Sequence, residues 1–366
     1  MSSNVYSCVA FSVVKHDYLA KAVQAHPSFE IVVVADNADV PDWVHQRNKQ
    51  FAIELGISYI PDLKKALKEF DIQVAVVSSE AERHCELSVQ ALQAGLHVVQ
   101  DKPMSTKITE CERVVTAVKE SGKKFMLWSR NFLPALVQAQ REIEDGTIGV
   151  LKAIHVDFYF SKDAGPPTGS RSVDDPPINW LERQLEAHSD GSDGGVGVEP
   201  MGELQIEGVY PLAYIHMLTH KRVYRVFART TAHFHQANAD NKVDDLATVT
   251  LEMDDDVLGT LSIGRIGAAS HPDIGEIKLH IIGSMGALVI SEAMPEVSVY
   301  HRDQPDLEFR NIRVNDSNNF LLMENFKTAI EQDMDTVLDA TAGRDIAKVV
   351  ASAIESGKTG QVVVIK

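Results

Sequence analysis

Cysteine is scarce in this 366-residue chain: Cys8, Cys85 and Cys111 fall singly, with no ligand-like spacing. That excludes a disulfide framework and a cysteine-built metal site, and it fits packing thiols in a reducing compartment. No uninterrupted apolar run approaches the roughly 18 residues of a membrane span. The start Met1-Ser2-Ser3-Asn4 has neither the basic region nor the apolar stretch of a signal peptide, so a cytoplasmic location is expected. Positive charge is also short, with 35 Lys+Arg against 52 Asp+Glu and a net charge of -17. With no basic stripe, nucleic acid and anionic membrane are disfavoured as partners. His188, Asp190, Asp193 and Glu199 match no ligand template, and no metal is expected.

What is present suits a globular protein, 44% hydrophobic and 24% charged, long enough for two domains. The first third alternates apolar runs with helical patterns. Strands are predicted at Val5–Ser12, Glu30–Asp36, Ser58–Ile60, Gln73–Ser78, His97–Gln100 and Phe125–Trp128, with helices between them. Such β-α-β units feed a parallel sheet, so residues 1–129 are expected to form a Rossmann-type, doubly wound dinucleotide-binding domain. Beyond Arg130 the runs lengthen and alternate, as in Ala153–Phe160, Val223–His233, Leu246–Met253, Val257–Ile263 and Lys278–Ile282. They predict a C-terminal α+β domain over 130–366 with a large, mostly antiparallel open sheet. Ser161–Gly202, rich in Gly, Pro, Ser and Asp, reads as a substrate-side loop region.

The strand His97-Val98-Val99-Gln100 runs directly into Asp101-Lys102-Pro103, which puts a lysine where open α/β sheets carry their chemistry. A solvated lysine opening a helix would give the same tripeptide. Upstream, Ser79-Glu80-Ala81-Glu82-Arg83-His84 precedes an apolar helix and the stop Ala94-Gly95. This order resembles the sugar and polyol oxidoreductases of the Gfo/Idh/MocA family, in which a G-K-H-V-x-x-E-K-P stretch sets the lysine beside the reacting hydroxyl. Other segments are similar to that family in order along the chain: Trp128-Ser129-Arg130-Asn131-Phe132-Leu133-Pro134, Gly208-Val209-Tyr210-Pro211-Leu212, the run His280–Leu288, and Ser356–Gln361.

The resemblance implies a nicotinamide cofactor, and the sequence departs from it in an informative place. A G-x-G-x-x-G turn after the first strand lets backbone amides approach the pyrophosphate. Here the turn is Ala10-Phe11-Ser12-Val13-Val14-Lys15-His16-Asp17, without glycine. Either its side chains crowd the nucleotide or Ser12, Lys15 and His16 rebuild the phosphate site. Asp36, ending the second strand, is placed to accept from an adenosine ribose and to favour NAD over NADP, though such an aspartate also caps turns. The resemblance adds Ser79, Glu80, His84, Asp101 and Lys102 to the cofactor side.

Oxidising a secondary alcohol needs a group that takes the hydroxyl proton, and Lys102 is the candidate, with Tyr210 assisting. The family's aspartate after the aromatic position is replaced by Ala213. Arg130, Trp180, Glu207, Tyr210 and Tyr214 are candidate substrate contacts. Glu203 and Glu207, four apart, would share a helix face as a carboxylate pair or as a solvated acidic face. The expected activity is NAD-dependent oxidation of a sugar, sugar derivative or cyclitol. One alternative is transient oxidation by bound NAD during glycoside elimination or hydrolysis. Another is a redox-inactive sugar-binding or regulatory protein. A homodimer or homotetramer is expected through the open face of the second sheet.

Overall fold

The computed structural model describes residues 5–14, 17–159, 180–189, 199–265, 276–291, 296–301, 304–312 and 317–366. Side chains are described for all of these except 180, 183, 186–188, 276, 296–301 and 304–312. Two compact units emerge, one from residues 1–130 and 316–347, the other from 131–315 and 348–366.

The first unit runs β1 (Tyr6–Val13), α1 (Tyr18–Gln24), β2 (Phe29–Ala35), α2 (Asp42–Leu55), β3 (Ser58–Ile60), α3 (Leu63–Glu69), β4 (Val74–Ser78), α4 (His84–Gln93), β5 (His97–Gln100), α5 (Ile108–Ser121) and β6 (Phe125–Leu127). Its strands are all parallel, in the order β3-β2-β1-β4-β5-β6. Helices cover both faces of such a sheet, so its strands need apolar residues on both sides. β4, Val74-Ala75-Val76-Val77-Ser78, is accordingly buried at every position and shows no alternation. The strand order reverses between β1 and β4, and the crevice at the carboxyl ends of that pair is where doubly wound sheets bind ligands.

The second unit contains α6 (Pro134–Glu144), β7 (Leu151–Tyr159), α7 (Trp180–Ser189), α8 (Glu203–Ile206), α9 (Val209–Thr219), β8 (Val223–Thr231), α10 (Gln236–Asp240), β9 (Leu246–Met253), β10 (Val257–Gly264), β11 (Glu276–Gly283), β12 (Gly286–Ser291), β13 (Glu296–His301) and β14 (Gln304–Ile312). α7 is a departure from expectation, a helix inside the stretch read as loop; residues 160–179 and 190–198 of that stretch lie outside the described residues. The strands alternate as one-face-buried sheets do. In β9, Ala247, Val249, Leu251 and Met253 point inward while Thr248 and Thr250 point out. The opposite face carries one continuous cross-strand row, Phe227-Thr250-Thr260-His155-His280-Val289. Every pairing is antiparallel except β7 with β10.

The chain then returns to the first unit through α11 (Asn318–Gln332) and leaves it within α12 (Ala340–Thr359), before β15 (Val363–Val364) pairs with β8. This differs from a contiguous second domain over 130–366. The segment has reasons to pack where it does. The Phe326 ring lies 6.1 Å from that of Phe29, and His26 Nε2 is 2.9 Å from Glu324 Oε1. The outer edge of β6 is closed as well: Leu127 N donates to Leu338 O at 2.9 Å and Thr336 Oγ1 to Phe125 O at 2.7 Å, which satisfies an edge otherwise open to pairing.

Candidate functional site

The turn that carries Lys102 is tied down by α4. Gln100 accepts from Ser88 Oγ at 2.8 Å and donates through Nε2 to Met104 O at 3.0 Å, while Cys85 Sγ donates to the same carbonyl at 3.3 Å. His84 sits with Nδ1 2.9 Å from Pro103 O and Nε2 3.0 Å from Ser79 O, stapling the end of β4 to the residue after Lys102. Asp101 turns its carboxylate back onto the chain, where Oδ1 accepts from Lys102 N at 2.8 Å. Asp101, Pro103 and Met104 are buried; Lys102 alone of the four reaches the surface. A rigid turn that presents one amine at the carboxyl edge is what positioned proton transfer needs. His84 and Asp101, each about 1% exposed, help to shape this turn through the contacts of both His84 ring nitrogens and of Asp101 Oδ1 with the backbone.

At the end of β1, Ser12 takes φ +65°, the left-handed backbone that glycine usually supplies, and the β1–β4 register shifts there. Its Oγ is buried and has no hydrogen-bond partner among the described residues. Lys15 and His16 lie outside the described residues. The neighbouring Val13 N is held by Asn48 Oδ1 at 2.7 Å, and Asn48 Nδ2 donates to Asp36 Oδ2 at 2.9 Å. Asp36, fully buried at the end of β2, also takes Asn37 N at 2.8 Å and the guanidinium of Arg83 on Oδ1. Arg83 Nη1 reaches Glu80 Oε2 at 3.2 Å, and burial pushes the Glu80 carboxyl up against the pull of Arg83. Ser79 Oγ donates to Glu80 O at 3.1 Å. Asn48 and Arg83 were not picked out in the sequence. Asn48 had a signal: it sits on the apolar stripe of α2 with Val44, Phe51 and Ala52, where a polar side chain must find a buried partner.

In the second unit the two glutamates are not a solvated face. Arg265 gathers them, Nε donating to Glu203 Oε2 at 2.5 Å and Nη2 to Glu207 Oε1 at 3.3 Å, all three residues under 10% exposed. Burial pushes the Glu203 carboxyl up to about 7 although Arg265 draws it down. Asp244 accepts from Leu204 N at 2.9 Å and is pushed up to about 6, again by burial. Tyr210 and Tyr214 both lie on α9 against Phe158 of β7, with ring centroids at 6.2 and 6.3 Å. Tyr214 is fully buried and Tyr210 keeps 3% of its surface. Gly208, opening the Gly-Val-Tyr-Pro-Leu segment, is required by close approach: a Cβ there would sit 2.2 Å from Leu204 O. Arg130 is part-exposed after β6; the side chain of Trp180 lies outside the described ones.

The first unit thus brings Ser12, Asp36, Ser79, Glu80 and Lys102 to the carboxyl ends of β1, β2, β4 and β5. Ser12 Oγ, buried and without a partner among the described residues, lies at the edge where doubly wound sheets take a dinucleotide pyrophosphate. The fold and this edge define a dinucleotide-binding class of protein with a second, sheet-based unit.

Comparison with known proteins narrows the class. Residues 12–128 match the model of the oxidoreductase family with the NAD-binding Rossmann fold, and residues 202–289 match the GFO/IDH/MocA C-terminal domain. The chain belongs to the Gfo/Idh/MocA oxidoreductase family. Inositol 2-dehydrogenase of Salmonella paratyphi B is 25% identical over 153 residues, 41% of this chain and 44% of that enzyme, so the match spans less than half of the relative's length. An oxidoreductase domain protein from Kribbella flavida shares the fold along all of both chains, at TM-score 0.77 and 18% identity. So does an oxidoreductase from Agrobacterium radiobacter solved in complex with NAD+, L-tartaric acid and magnesium, at TM-score 0.75 and 14% identity over 98% of each chain.

Proposed function

We propose that this protein is an NAD-dependent dehydrogenase acting on a secondary hydroxyl of a cyclitol or sugar. The observation that carries the reading is Lys102, the one residue of Asp101–Met104 that reaches the surface, in a turn held at the carboxyl end of β5 by contacts from His84, Cys85 and Ser88 of α4 and one from Gln100. The nicotinamide supplies the hydride acceptor. Lys102 Nζ, neutral, accepts the hydroxyl proton during oxidation and, charged, returns it during reduction. Ser12 and Ser79 serve the cofactor side, and Asp36 the ribose. The dehydrogenase activity named for the Salmonella relative supports a polyol as substrate class.

The test is reduction of NAD by a panel of inositols and aldoses. Lys102→Ala is expected to slow the reaction about a hundredfold to ten-thousandfold while NADH binding persists. Unchanged turnover in that variant would remove Lys102 from the chemistry, and a panel without a substrate would remove the polyol reading. A dimer or pair of dimers joined through the open row Phe227–Val289 accompanies this reading; sedimentation as a 40.3 kDa species alone would contradict it.

A further inference from the structure

His84 opens α4 with its ring between two backbone carbonyls: Nδ1 is 2.9 Å from Pro103 O and Nε2 is 3.0 Å from Ser79 O. A carbonyl oxygen accepts and cannot donate, so each ring nitrogen has to bring a proton to make its bond. Neutral imidazole carries one proton for its two nitrogens. In either tautomer, one contact would set a nitrogen lone pair against an oxygen lone pair at hydrogen-bond distance, on a residue that is 1% exposed. Turning the ring over presents carbon to both oxygens and makes neither bond. The imidazolium alone makes both, and a bond from a charged donor is about twice as strong as a neutral one.

We propose that His84 is a buried imidazolium at neutral pH, a positioning residue whose charge ties the end of β4 to the Lys102 turn and favours the neutral amine of Lys102. The charge on His84 stands apart from the dehydrogenase reading above; its service to Lys102 rests on that reading. The elements that meet at the ring carry charges of both signs. Asp101 and Lys102 belong to the turn after β5, Glu80 and Arg83 to the loop after β4, and Glu86 to the first turn of α4. Lys102, Arg83 and the amino end of α4 disfavour a cation, whereas Asp101, Glu80 and Glu86 favour it. The two carbonyls decide the balance, because they belong to buried residues and face the ring nitrogens directly. Pro103, whose carbonyl takes Nδ1, follows Lys102 in the chain. A cation held there repels a second one on Lys102, so the amine releases its proton more readily, as a base for the hydroxyl proton needs. Asp101 pulls the other way and is unchanged in a His84 variant, so a comparison isolates His84.

The experiment is nitrogen-15 NMR of the intact protein labelled at its 14 histidines, followed through neutral pH. Exposed rings give up their second proton near about pH 6.5. The expected result is one ring that still carries protons on both nitrogens at about pH 8, with through-space contacts from those protons to Ser79 and Pro103, and that is missing from His84→Gln. The contacts assign the ring in the wild type, so a poorly folded His84→Gln does not remove the test. A His84 ring with one bare nitrogen at about pH 7, or a surviving imidazolium that a folded His84→Gln retains, overturns the proposal. The second readout is the pH profile of NAD reduction with a substrate from the panel above. His84→Gln is expected to move its acid limb up by about one pH unit, because Lys102 without the neighbouring cation holds its proton to higher pH. A slower enzyme with an unmoved limb would overturn the role toward Lys102. If the panel holds no substrate, the dehydrogenase reading and that role fall together, while the NMR result still decides the charge on His84.

Discussion

Asp244 carries a readable pH signature. Its folded-state carboxyl is pushed from 3.8 up to about 6, chiefly by burial. A carboxyl raised on folding holds its proton better in the native state, so its contribution is complete below the unfolded value and is lost as pH rises through the folded one. Asp244→Asn keeps an acceptor for Leu204 N and cannot ionise. Melting curves from about pH 4 to pH 7 should therefore show wild-type stability falling relative to the variant, by at most roughly 3 kcal/mol. Curves that stay parallel would mean that Asp244 ionises without penalty. Lys102 and Asp36 were visible to the sequence because a strand end is local information. Their partners were not, since Arg83 meets Asp36 across 47 residues and Arg265 meets Glu203 across 62. Such pairs leave no periodicity to read.

The elements were legible in proportion to how strongly burial writes them. β4 and β5 stand out as Val-rich runs because a parallel sheet is covered on both faces, and β9 because one face is wet. α7 was hidden by the Gly, Pro, Ser and Asp around it, and the turn after β1 by its missing glycines. Just before that turn Ser12 takes φ +65°, a conformation that composition does not announce. The start of α8 depends on a close approach instead. A Cβ on Gly202 would lie 2.1 Å from Asp244 Oδ1 and 2.7 Å from Asp244 N, the second a backbone atom that cannot swing aside. Gly202→Ala should destabilise the protein by about 1–3 kcal/mol, read as a lowered midpoint in urea. An unshifted midpoint would show that the 202–244 contact yields freely.

At the scale of the molecule, the boundary near residue 130 was readable as a change of texture, while the return of 316–347 to the first unit was not. An amphipathic pattern in α11 shows that a face will be buried and says nothing of which sheet receives it. Only the contacts of Phe326 and Glu324 with Phe29 and His26, and of Leu338 with β6, decide that. The β1 turn is where the whole account is most exposed, because a glycine-free phosphate turn must still hold a dinucleotide if Lys102 is to have any hydride chemistry to serve. The most direct measurement is a titration of the purified protein with NADH by tryptophan energy transfer, after assaying the supernatant of heated protein for nucleotide carried through purification. Saturable binding in the micromolar range, or NAD released by heating, is the predicted result. No binding together with no released nucleotide would contradict the account.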